Sequence, residues 1–222
     1  MGKVINRAQE IGIVYPCVAK ISGVNNIDTD KMMEFDNLIE EKYNQICLDF
    51  EQIIKEPQVA GYKEILEKLG YMDTTPAGMR LLTSFKEKGF KHINYLVDAY
   101  NIVSMQYCAG IGMHDAELLG DVIEIGVADG TETIRPMFQA KEKKIKKGDL
   151  IYTSNGATVA WLGKKDVDSD DFKVTESTTD IVLVVLGNLH TDSEYSRCIA
   201  REIYEMIKLC SREAEIDFYE II

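Results

Sequence analysis

Residues 92–115 read HINYLVDAYNIVSMQYCAGIGMHD, and the path of the chain on either side depends on how this stretch folds. From Asn94 to Tyr107 there is no Gly or Pro. Leu96, Ala99, Tyr100, Val103 and Tyr107 recur at three- and four-residue steps, which predicts a helix over 94–107. Val97, Ile102 and Met105 widen its apolar face, so the helix is expected to be buried over most of its circumference. Asn94, Asp98 and Asn101 fall at i, i+4 and i+7, a single line of short polar side chains. The helical stretch 30–55 covers its wet face differently, with Glu40, Glu41, Lys42, Glu51 and Gln52, which lose little rotamer freedom in a helix. Two readings of the Asn/Asp line therefore stand side by side: a solvated face, or a line that holds a neighbouring loop or lines a pocket. Gly110 and Gly112 follow where the helix should stop, which predicts a sharp turn over 110–115 with the polar line facing a cavity beside it.

These residues resemble a known family. Ile93-Asn94-x-x-Val97-Asp98-x-x-Asn101-x-Val103, followed by Gly110-x-Gly112-x-x-Asp115, is similar to the signature of the B3/4 domain, the editing module in the beta subunit of bacterial phenylalanyl-tRNA synthetase, which also occurs free-standing. The resemblance extends upstream through Thr75-Pro76, Arg80 and Gly89, and downstream to the strand near Leu186, giving a core motif region of about 60–190 within a single 1–222 domain. It implies a pocket built from Asn94, Asp98, Tyr100, Asn101, Gly110, Gly112 and Asp115. In the editing module a Thr precedes the motif Asn and a His stands after the helix; by ungapped spacing Tyr100 and Gly112 occupy those two places here. The catalytic group is therefore left open, with His114 as a candidate.

Composition narrows the function classes. The chain of 222 residues is long enough for a substantial core and contains no apolar run near the ~20 residues that a membrane helix needs. The opening residues MGKVINRAQE lack the apolar segment of a secretory signal, and the expected location is the cytoplasm. Five dispersed cysteines without a CxxC pair read as reduced thiols, and His92, His114 and His190 have no partner at ligand spacing, so no metal is expected. No phosphate loop, Rossmann glycine triplet or nucleophile elbow occurs, and no cofactor is expected. The net charge of −12 argues against DNA and against strong binding of any polyanion. Lys141, Lys143, Lys144, Lys146 and Lys147 are the one basic concentration, either a weak tRNA contact or a solvated loop.

The order of elements predicts an α+β fold. Residues 11–24 read as strand material interrupted by Pro16; 30–55 as a helix ended by Pro57; 61–69 and 76–88 as helices, the second capped by Thr75. The second half is β-rich: a hairpin around Asp129-Gly130, another around Asn155-Gly156, an Asp-rich loop over 164–173 and a strand DIVLVVL over 180–186 buried on both faces. A helix over 192–211 and a short strand over 218–222 close the chain. Two functions fit this reading. One is hydrolysis of a mischarged aminoacyl ester presented on tRNA; the alternative is a non-catalytic module binding an amino acid, a tRNA end or a protein partner.

Overall fold

In the computed structural model, which describes residues 2–222, the chain forms β1 (Lys3–Asn6), β2 (Cys17–Ser22), α1 (Met32–Leu48), a short α2 (Phe50–Ile53), α3 (Pro57–Lys68), α4 (Ala77–Lys88), α5 (Tyr95–Tyr107), β3 (Ile111–Asp115), β4 (Val122–Val127), β5 (Thr133–Ile134), β6 (Lys143–Lys144), β7 (Leu150–Ser154), β8 (Ala157–Leu162), β9 (Val167–Asp168), β10 (Asp180–Val185), α6 (Ser193–Cys210), β11 (Glu215–Phe218) and β12 (Glu220–Ile221). The apolar run at 181–185 becomes the interior strand of a four-stranded antiparallel sheet ordered β11-β2-β10-β3. Ile181 to Val185 are all buried, as a strand covered on both faces requires, and each such side chain contributes roughly 1.5–3 kcal/mol.

The second sheet is mixed, ordered β12-β1-β4-β7-β8-β9, with β1 parallel to both β4 and β12 and the remaining pairs antiparallel. The architecture is α+β, with the helices concentrated in the first half and the strands in the second. The β7–β8 hairpin turns at Asn155 (φ 50°) and Gly156 (φ 79°), the positive dihedrals that a two-residue type I′ turn demands. The predicted hairpin around Asp129-Gly130 does not form. Both edges of β4 are already taken, by β1 and β7, so β5 leaves the sheet and pairs with β6 in a separate ribbon.

Two further expectations change. Pro57 does not close the preceding helix but opens α3 at its first position, where its missing N–H costs nothing. Thr75 does not cap α4. Pro76 stands at the cap with extended dihedrals and no side-chain bond to the first turn. Strand β1 was not expected; four residues, KVIN, are too short for a period-two signal.

Helix α5 packs among α1, α4 and α6. Asn94 begins it as N-cap, its Oδ1 accepting from Val97 N–H at 2.9 Å. Its end is set not by a glycine but by Cys108, which takes the left-handed conformation at φ 49°. The expected turn over 110–115 is therefore absent, because the reversal is complete by Ala109 and residues 111–115 pair with β10 as strand β3. Helix α4 crosses closely here. The Cys108–Ala109 peptide lies directly against Gly78, where any Cβ would collide with backbone.

Candidate functional site

The Asn/Asp line on α5 does not face one cavity. Asn94 is exposed at the helix start. Asp98 is buried and holds the preceding loop: its carboxylate accepts from Ile93 N–H at 2.9 Å and lies 3.0 Å from His92 Nδ1, with burial raising its pKa. Asn101 is buried within the helical layer. Asn94 and Asp98 line an open groove of about 380 Å³ between α1 and the 90–94 loop, away from the glycines. Asp115 accepts from Glu117 N–H and from Thr178 Oγ1, capping the turn that leaves β3.

The glycines instead open a different cleft, between the start of α4, the start of β3, the end of β10 and the β8–β9 connection. It has two adjoining lobes, of about 40 and 80 Å³. Both are lined by Ala77, Gly110, Leu162, Asp166 and Leu186. The first lobe continues onto an apolar floor of Ile13, Ile65, Leu66, Leu69 and Leu150; the second reaches Gly112, Tyr152, Trp161 and Asp168. With no side-chain cap at Pro76, the first-turn N–H groups of α4 at Ala77 and Gly78 carry the positive end of the helix dipole to this cleft.

Two carboxylates converge from the other side. Arg80 donates to Thr75 O at 2.7 Å and to Asp166 Oδ2 at 2.9 Å, so α4 is tied to the β8–β9 connection. Burial raises Asp166, while the Arg80 charge opposes the rise. Asp168 has no such cation. Burial, and then the neighbouring Asp166 charge, push its carboxyl up to about 7, so it exchanges a proton near neutrality.

Behind Gly112, Tyr152 Oη lies 2.7 Å from Nε2 of His114, and the two rings meet edge to face at 5.5 Å. Both residues are buried, and burial lowers the His114 pKa to about 3, which keeps the imidazole neutral. His114 thus stands one layer below the cleft, separated from it by Tyr152. Tyr100 belongs to the same electrostatic group: its phenol is pushed up to about 12 by burial and then by the charges of Asp168 and Asp98.

Of the residues expected at a site, Gly110 and Gly112 line this cleft. Asp166, Asp168 and Tyr152 were not expected there. The two aspartates lie in the segment 164–173 that reads as an Asp-rich loop, and only the alternation Asp166-Val167-Asp168, one apolar residue between two carboxylates, points to a short strand. Lys141, Lys143, Lys144, Lys146 and Lys147 are exposed along β6 and its flanks, with Lys146 Nζ 4.7 Å from the centre of the Tyr71 ring. Among the described residues no cluster of His, Cys, Asp or Glu could hold a metal ion, and no helix is long and apolar enough to cross a membrane.

Comparison with known proteins bears on this geometry. No curated protein matches the sequence. Among solved structures, the fold is similar to an N-terminal fragment of the phenylalanyl-tRNA synthetase beta subunit from Pyrococcus horikoshii, with a TM-score of 0.55 at 12% identity. The match covers 100% of this chain and 51% of that one, so the chain spans about half the length of that fragment. The B3/4 domain model matches residues 66–203, a segment that runs from α3 into α6 and contains the whole Asp166–Asp168, Gly110–Gly112 and Tyr152 constellation. The chain belongs to the B3/4 domain family.

Proposed function

We propose that this protein hydrolyses an aminoacyl ester presented on the end of a tRNA, with the acyl group seated in the cleft between α4 and the β8–β9 connection. The observation that carries this reading is the placement of the Asp168 carboxyl, raised to about 7, opposite the uncapped start of α4. A general base works best with a pKa near the working pH, and helix N–H groups stabilise a developing oxyanion. In the reaction, water adds to the ester carbonyl and gives its proton to Asp168 while negative charge collects on the carbonyl oxygen near Ala77 and Gly78. Collapse of the tetrahedral adduct expels the ribose oxygen, which takes that proton back from Asp168. The apolar floor receives the amino-acid side chain.

The alternative is a module that binds an aminoacyl group, a tRNA end or a protein partner without hydrolysis. The net charge of −12 favours it, since little of the surface would attract a phosphate backbone. The test is a deacylation screen with purified protein against a panel of mischarged tRNAs, followed by Asp168→Asn on any substrate found. Hydrolysis that falls roughly 100-fold or more in the variant supports the enzyme. A panel released no faster than in buffer leaves the binding module.

A further inference from the structure

His114 carries an unmet atom. It is fully buried, its Nε2 is engaged with Tyr152 Oη at 2.7 Å, and its Nδ1 has no hydrogen-bond partner. A neutral imidazole holds one proton, on one nitrogen or the other. With the proton on Nδ1, the protein would bury an N–H with nothing to accept it and bear the full desolvation of that donor. With the proton on Nε2, the unmet atom is a bare lone pair, and Nε2–H donates to Tyr152 Oη. The second arrangement costs less.

That choice fixes what the tyrosine can do. A phenol whose oxygen already accepts from His114 still has its own O–H to place. Tyr152 lines the cleft beside Gly110, Gly112 and Asp168, while its buried side is occupied by the imidazole. We propose that Tyr152 is the side-chain hydrogen-bond donor of the cleft, offering its O–H to the carbonyl oxygen of the bound acyl group, and that His114 is the positioning residue that turns the O–H outward. Gly112 completes the device, because a Cβ there would overlap the tyrosine hydroxyl and displace it. The His114 tautomer stands on hydrogen-bond accounting alone; the identity of the acceptor rests on the acyl-binding reading given under Proposed function.

The test has two arms. Nitrogen-15 spectra of the imidazole rings in labelled wild-type protein report the tautomer directly. The expected result is a protonated Nε2 and a bare Nδ1 for His114; a proton on Nδ1 overturns the proposal. In the second arm, Tyr152→Phe is expected to lower kcat for deacylation by roughly 100-fold with KM within about threefold, the size of effect seen when one oxyanion donor is removed. His114→Gln, whose amide can still donate to the phenol, is expected to retain activity within about tenfold, whereas His114→Leu falls to the level of Tyr152→Phe. An unchanged kcat in Tyr152→Phe overturns the assignment. Should wild type release no amino acid from any tRNA, the hydrolase reading fails separately, and calorimetry with phenylalaninamide decides this one: binding weakened about tenfold in Tyr152→Phe supports it, and equal binding to wild type and variant, or binding to neither, overturns it.

Discussion

The hydroxyl of Tyr152, on the six-stranded sheet, fills the space in which residue 112, on the four-stranded sheet, would carry its Cβ. The two sheets thus touch through an atom pair that only glycine permits. Gly112→Ala should destabilise the protein by about 1–3 kcal/mol, the usual cost of forcing extra volume into a filled interior. Chemical denaturation of Gly112→Ala and of Gly112→Ala with Tyr152→Phe checks this, the double variant regaining much of the loss. Equal stability of Gly112→Ala and wild type would contradict the geometry. It also follows that a histidine cannot simply be placed at 112; the imidazole of His114, two residues along the same face of β3, already lies beside that point.

Asp98 makes a second prediction. Its buried carboxylate holds Ile93 N–H and faces His92 Nδ1, so it fastens the chain that leads into α5. Asp98→Ala should cost about 1–3 kcal/mol by leaving a buried partner unsatisfied. Amide exchange at Ile93 should accelerate more than exchange at Val103 in the middle of the helix. A uniform acceleration along α5 would mean that Asp98 acts on global stability and not on the loop.

The helices and the central strand were legible because each carries a long periodic or continuous apolar signal. Ile199, Ile203, Met206 and Cys210 repeat over the length of α6, and 181–185 has no polar interruption. The Asn155-Gly156 turn was legible from the dihedral demands of two residues. The polar line on α5 does not form one wall: helical spacing places Asn94, Asp98 and Asn101 on a common stripe but does not say what packs there, and of the three it is Asp98 that meets the loop-holding reading. Capping took the first, a loop took the second, and the helical layer enclosed the third. The cleft itself was not legible. Asp166 and Asp168 reach it because β9 pairs locally with β8, but the wall they face comes from α4, tied on by Arg80 from 86 residues away in the chain.

Lys141, Lys143, Lys144, Lys146 and Lys147 make a third prediction, about tRNA affinity. All are exposed, and no more than a few can reach phosphates from so short a ribbon. The plot of log affinity against log salt should have a shallow slope, between zero and about −4, and should flatten further when the five become glutamine. A slope unaltered by those substitutions would place the contact elsewhere.

Asp168 links stability and activity through one proton. Its folded pKa of about 7 lies above the ordinary carboxyl value of 3.8, so between those values the native state holds a proton that the unfolded chain has released. Stability therefore falls as pH rises through this window and levels off above it, the reverse of the usual salt-bridged aspartate. The groups facing Asp168 do not cancel this effect. Asp166 adds like charge, Arg80 is engaged by Asp166, Tyr100 and Tyr152 ionise well above this range, and His114 stays neutral. Asp168→Asn should be more stable than wild type by about 1–3 kcal/mol at pH 8 and nearly equal to it at pH 4. A general base must act in its ionised form, so wild-type deacylation should rise toward pH 7 and then level off, over the same interval in which stability declines. Denaturation curves at several pH values for both proteins, set beside the pH profile of kcat/KM for wild type, test the linkage. A wild-type stability that changes from pH 4 to pH 7 by the same amount as that of Asp168→Asn would show that Asp168 ionises at an ordinary pKa, and the carboxylate would then be unsuited to the role of base at neutral pH.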